Sequence, residues 1–177
     1  MVGTSGHFDD IYTEIGVRPI INAAGSVTAY GGSKLRPEVT EAMNQASGIM
    51  VNMEELNLAA GREIAKVTGA EAGFVCSGAA GGLVLQAAAV IAGSDPQKMA
   101  KLPHTEGMKN EIIIHRSQRF PYDQCYRAAG AELVGVGDFL RCLPWELESA
   151  INENTAAVAY LVAPFVAPYA MPLPEVA

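Results

Sequence analysis

The chain has 177 residues, half of them hydrophobic and 18% charged, which suits one ordinary domain with a real core and excludes a disordered chain. A net charge of −7 with no cluster of Lys and Arg argues against nucleic acid and for a small-molecule ligand. No apolar run reaches the roughly 20 residues a bilayer span needs, and MVGTSGHFDDIYTEIG has neither the basic nor the apolar part of a secretory leader. A cytoplasmic protein is expected, with Cys76, Cys125 and Cys142, which form no CxxC pair, as reduced thiols.

Residues 1–19 read as an irregular arm ending at Arg18-Pro19, and INAAGSVTAYGGSKLRP (21–37) reads as a Gly-rich loop region. Pro37 and Glu38 open a helix, because proline fits a first turn and an acid there complements the helix dipole. A second helix is predicted over 53–68, closed by Gly69. Strands are predicted at 73–76, 111–115, 132–136 and 156–162, and helices between them at 79–92, 122–129 and 144–152. EIIIH and AAVAYLV are apolar without alternation, as in parallel strands covered on both faces. The class is therefore α/β, with a mostly parallel open sheet. PLPEVA (172–177) reads as a helix opening at which the sequence stops, so the expectation is the front part of a longer protein.

Three stretches carry chemistry. SGAAGG (77–82) lies between a predicted strand and a predicted helix. It reads either as a phosphate cradle of backbone N–H groups and the Ser77 hydroxyl, or as a tight turn of small residues for helix–sheet packing. A dinucleotide fingerprint fits less well: the spacing is not GxGxxG, and the next strand ends in His115-Arg116 and not in an acid. HRSQRFPYDQ (115–124) leaves the C-terminal end of a strand, where open α/β sheets bind ligands. His115, Arg116, Arg119, Tyr122 and Asp123 are the candidates there, the arginines as paired donors to an anion and the rings as stacking surfaces, against the plainer reading of capping and surface residues. The arm 22–36 offers Lys34 and Arg36 as anion contacts, or is simply a loop with unusual backbone angles. The long connection 93–111 reads as a functional loop or an ordered surface excursion.

INAAGSVTAYGGSKLRPEV, MEELN followed by AGREIAKVTGAEAGFVCSGAAGGL, DPQKMAKLPHTEGMKNEIII and AAVAYLVAPFV, in this order, resemble the selenocysteine-synthase-like family of pyridoxal-phosphate enzymes. That family includes L-seryl-tRNA(Sec) selenium transferase and D-glucosaminate-6-phosphate ammonia-lyase, and the LPHTEGMKNE stretch is closer to the lyase branch. The resemblance runs from about residue 16 to the end. It implies the N-terminal portion of an aspartate-aminotransferase-like large domain (38–177) behind an arm and loop (1–37), a pyridoxal 5′-phosphate cofactor, and a homodimer or larger homo-oligomer. It further implies that Ser77, Gly78 and Ala79 hold the cofactor phosphate, that His115 and Arg116 lie at the pyridine ring, and that Asn22, Lys34, Arg36, Arg119 and Tyr122 face a small amino substrate. Cys76 stands where the family leads one to expect threonine, which puts a side-chain contact there in question.

Such an enzyme needs a lysine for a Schiff base and an acid at the pyridinium nitrogen. In the family both lie on later strands, beyond residue 177; none of Lys34, Lys66, Lys98, Lys101 and Lys109 is well placed to substitute. The implied activity is that of a lyase or transferase that labilises a Cα bond and eliminates or exchanges a β-substituent, with a phosphorylated amino sugar acid as one substrate. This chain alone is expected to be inactive. The alternatives are a selenium transferase proper, a non-catalytic phosphate-binding or scaffolding module, and a nucleotide-binding α/β domain.

Overall fold

A computed structural model describes residues 11–177, so the part of the expected arm at 1–10 lies outside the described residues. The chain divides into two compact units, Met1–Leu56 and Asn57–Ala177.

In the first unit, a short helix α1 (Ile11–Glu14) precedes the Gly-rich stretch. That stretch folds as a 3-10 turn at Thr28–Tyr30 that ends on Gly31 with φ +83°, inside an isolated antiparallel bridge between Val27 and Gly32. The positive φ is why glycine is used there. Helix α2 (Pro37–Ala46) carries its proline in the first turn with Glu38 beside it, as the sequence predicts. Helix α3 (Met53–Thr68), whose residues from Asn57 onward belong to the second unit, starts on Asn52, whose Oδ1 accepts from the N–H groups of Glu54 and Glu55 at 2.9 and 3.2 Å. It closes on Gly69, with φ +73°.

The second unit alternates α4 (Gly78–Ala92), α5 (Pro96–Lys101), β1 (Glu111–His115), α6 (Gln124–Ala128), β2 (Glu132–Val136), α7 (Pro144–Ala150), β3 (Thr155–Ala159) and α8 (Leu173–Val176). The strands form a parallel sheet in the order β2-β1-β3. Alternate side chains of a strand face opposite ways, and β1 uses both. Ile112 packs with Ala87 and Ile91 of α4 and with Ala129 and Ala131, while Ile113 packs with Val136, Cys142, Leu147 and Met171. This is why EIIIH is apolar without alternation: β1 is the middle strand, and both of its faces are core. Among the described residues no helix is long and apolar enough to cross a membrane.

Several boundaries differ from the sequence reading. Residues 73–76 are not a strand: they have no strand neighbour, and Phe74 and Val75 are 65% and 50% exposed. The predicted strand 156–162 begins at Thr155 and ends at Ala159, because the next backbone groups along the chain bond to a side chain instead of to β1. The helix predicted over 122–129 is a 3-10 turn (Pro121–Asp123) running into the short α6. The connection 93–111 contains a helix the sequence reading missed, α5, capped by Asp95, whose Oδ1 accepts from the Gln97 and Lys98 N–H groups at 2.8 and 3.3 Å.

Candidate functional site

The turn between residues 73–76 and α4 is built by close approach. Gly61 of α3 lies so near Gly73 that a Cβ on Gly61 would stand 2.2 Å from the Gly73 carbonyl oxygen. This lets the helix side chain of Asn57 reach Val75, donating to its carbonyl at 3.1 Å and accepting from its N–H at 3.1 Å. A primary amide thus takes the place of a partner strand. Beyond it the chain turns at Gly78, with φ +84° and its N–H bonded to the Cys76 carbonyl at 2.9 Å.

Ser77 precedes the first turn of α4. The N–H groups of that turn have no acceptor within the helix, and no acidic side chain lies in it. Residues 77–80 are exposed, and a Cβ placed on Gly78 would meet nothing within 4 Å, so the turn is open to an anion from outside. Packing explains the other glycines: a Cβ on Gly81 would stand 2.8 Å from Ser77 Oγ, and one on Gly82 would stand 3.3 Å from Cys76 Sγ. Residues 77–80 are exposed, with the Gly78 N–H turned back on the Cys76 carbonyl, and Gly81 and Gly82 make room for the side chains before them.

Helix α4 packs on the sheet with Ala87 and Ile91 in the cluster around Ile112. His115 ends β1 at its C-terminal end. It is 1% exposed, neither Nδ1 nor Nε2 has a hydrogen-bond partner, and its ring meets Tyr160 edge-on at 5.8 Å between centroids. Burial lowers its pKa below 6.5, so the imidazole is neutral at physiological pH. A buried polar ring with both nitrogens unspent is unusual, since such groups ordinarily find partners.

The other residues predicted around it divide. Arg116 follows His115, but its guanidinium donates to the Gly137 carbonyl at 2.7 Å and its stem lies against Gly135. Arg119 is spent on Asp123, which also accepts from Arg127 at 2.6 Å. Burial raises the pKa of Asp123, but the hydrogen bonds and charges of the two arginines outweigh it and hold it below 3.8. Tyr122 is exposed. Asn22, Lys34 and Arg36 belong to the first unit; the Asn22 amide closes a local turn by bonding the Gly25 carbonyl and the Ala24 N–H at 2.7 and 2.9 Å, while Lys34 and Arg36 are exposed. The cysteines are free, Cys125 and Cys142 buried and Cys76 exposed.

The 93–111 connection is a brace. Thr105 donates to the Gly130 carbonyl at 3.1 Å and accepts from Asn110 at 2.9 Å, just before the start of β1. Lys109 sits at that same start, opposite His115; Lys98 and Lys101 are on α5, and Lys66 is an exposed partner of Glu63. Among the described residues of the second unit, no lysine stands at the strands' C-terminal ends.

The sequence reading passed over Gln118, Tyr160 and Asn57. Gln118 is buried although it lies in a polar run, and it holds Leu161; Tyr160 was absorbed into a predicted strand; Asn57 looked like an ordinary helix residue. The one available signal was the Asn57 and Gly61 pair on a single face of α3, ahead of Gly73.

No protein-family model matches the chain. It is 35% identical over 156 residues to D-glucosaminate-6-phosphate ammonia lyase of Salmonella typhimurium, covering 86% of this chain and 42% of that one. It is 32% identical over 155 residues to the 5′-C-glycyluridine monooxygenase-decarboxylase of a Streptomyces species, covering 85% and 39%. The solved structure of a D-glucosaminate-6-phosphate ammonia-lyase superposes with a TM-score of 0.89 at 32% identity, covering 94% of this chain and 47% of that one. The chain spans less than half the length of these relatives. The resemblance read from the sequence is thus shown across nearly the whole chain, which belongs to the selenocysteine-synthase-like family that contains D-glucosaminate-6-phosphate ammonia-lyase.

Proposed function

We propose that the chain forms the phosphate-holding part of a pyridoxal-phosphate-dependent lyase whose substrate is a phosphorylated amino sugar acid. The observations that carry this are the open first turn of α4 and a buried, unpartnered His115 at the C-terminal end of β1. The residues fit the cofactor's chemistry. The exposed amides from residue 79 onward and the Ser77 hydroxyl donate to a phosphate, favoured by the positive end of a 15-residue helix. His115, kept neutral by burial, offers a flat surface and a ring nitrogen without adding positive charge beside a pyridinium. Pyridoxal phosphate, when bound, supplies an electron sink for a bond broken next to an amine-bearing carbon. What this chain does is orient: Asn57 and Gly61 hold the strand-like entry to the turn, and Tyr160 holds the imidazole.

The relatives' names describe different reactions, so the stretch they share with this chain supports cofactor holding. The lyase reading rests on the ammonia-lyase match in both sequence and structure. The amine-bearing lysine is assigned to sequence outside these 177 residues, in keeping with where Lys66, Lys98, Lys101 and Lys109 lie. A homo-oligomer completes the proposal.

The test is addition of pyridoxal phosphate to the 177-residue chain, with binding read by the cofactor's fluorescence and competition by inorganic phosphate. Binding that is competed by phosphate and lost in Gly78→Val is expected, with no lysine trapped by borohydride. A trapped peptide, or binding indifferent to Gly78→Val, refutes the assignment. Stabilisation by nucleotides with no response to pyridoxal phosphate would favour a nucleotide-binding domain instead.

A further inference from the structure

A buried polar side chain beside His115 has no part in the reading above. Gln118 is 2% exposed and lies in the 3-10 turn that follows β1. Its amide is wholly spent on one residue: Nε2 donates to the Leu161 carbonyl at 3.2 Å, and Oε1 accepts from the Leu161 N–H at 2.8 Å. The β1–β3 ladder ends at the Ile114 and Ala159 pair, so this amide carries the pairing onward where backbone no longer reaches backbone.

Tyr160 sits between the end of that ladder and the clamped residue. Its phenol donates to the Met171 carbonyl at 2.6 Å, which fixes its far end. Tyr160 is the aromatic contact of the His115 ring, the two rings meeting at 79°, and neither imidazole nitrogen is anchored by a hydrogen bond. The direction of the imidazole therefore depends on where Tyr160 is held, and Tyr160 is held through Leu161.

We infer that Gln118 is a positioning residue: by clamping the Leu161 backbone it fixes Tyr160 and, through it, the plane of the His115 imidazole at the cofactor edge of the sheet. The inference deepens the cofactor reading given above, and the ring-orientation part of it does not require a cofactor. If Gln118 only tied two loops together, its loss would lower stability and leave the ring as it was.

The experiment uses the full chain labelled with 15N-histidine, with the His115 resonances assigned by comparison with His115→Gln. In the wild type one set of imidazole ring shifts is expected, that of a ring held in one orientation against Tyr160. Gln118→Ala is expected to move or split that set while the fold, read by circular dichroism, remains. Side chains that orient contacting groups cost 10- to 100-fold in affinity at metal sites, and on the order of tenfold weaker pyridoxal-phosphate binding is expected here, with reduced induced dichroism of the cofactor band. Gln118→Glu keeps the acceptor for the Leu161 N–H and loses the donor, so it should fall between wild type and Gln118→Ala. If Gln118→Ala does not fold, Gln118→Glu decides by the same two readouts. A folded variant whose His115 shifts match the wild type overturns the inference. Failure of wild type and variant alike to bind pyridoxal phosphate, with the shifts changed as expected, overturns the cofactor reading and leaves the clamp standing.

Discussion

Single residues at the turn set its conformation, and their costs separate cleanly. Gly78 has φ +84°, yet a Cβ there would touch nothing, so Gly78→Ala is penalised by backbone geometry alone. A destabilisation of about 1 to 2 kcal/mol is expected, measured by urea denaturation, together with weaker phosphate binding as the turn relaxes. Asp123 presents the opposite case, with geometry unremarked and charge decisive. It is 8% exposed between two half-exposed arginines. Asp123→Asn leaves Arg119 and Arg127 facing each other with no anion between them. Solvent reaches both guanidiniums, so the loss should be about 1 to 2 kcal/mol, less than for a fully buried pair. Arg119→Ala alone should cost less, because Arg127 keeps the carboxylate paired.

At the scale of elements, the contact between α3 and residues 73–76 is a backbone-to-backbone approach with no room for a methyl group. Gly61→Ala would drive a methyl into the Gly73 carbonyl, and backbone cannot step aside as a side chain can. A loss of about 2 to 3 kcal/mol is expected, with the Asn57–Val75 pair broken and phosphate affinity falling in step, checked by denaturation and by phosphate titration of one variant. This contact also explains which elements were legible in the sequence. β1, β2 and the helices α2 and α3 follow from apolar runs, a first-turn proline and a closing glycine, all local signals; the bounds of β1, β2 and α3 and the start of α2 match those expected. Residues 73–76 carry the same local signal as a strand, but strands exist only where a neighbour pairs with them. Here an asparagine eighteen positions earlier fills that role. The end of β3 was misread for the same reason, with Gln118 as the substitute partner. For the site, His115 and the SGAAGG turn were visible because strand ends and small-residue turns are local patterns. The engagement of Arg116 with Gly137 and of Arg119 with Asp123 was not, since both depend on which groups the fold brings within reach.

At the scale of the whole molecule, two buried groups make stability depend on acid in separate windows. His115 is lowered below 6.5, so the unfolded chain binds the proton first, and stability falls as pH drops below 6.5. Asp123 is lowered below 3.8; its contribution is present above that value and is lost as pH falls through its lower folded value. Melting temperature followed against pH should decline in two stages, and His115→Phe should flatten the first while leaving the second. Protection against proton exchange should divide in a similar way. The Ile113 amide is locked in the centre of the sheet and should open only when the whole unit unfolds. The Val75 amide is bonded to a side chain on an exposed helix, so deuterium should enter it whenever the first turns of that helix fray. The grip on an incoming anion would then loosen and tighten with a helix end, many times within the lifetime of the folded sheet.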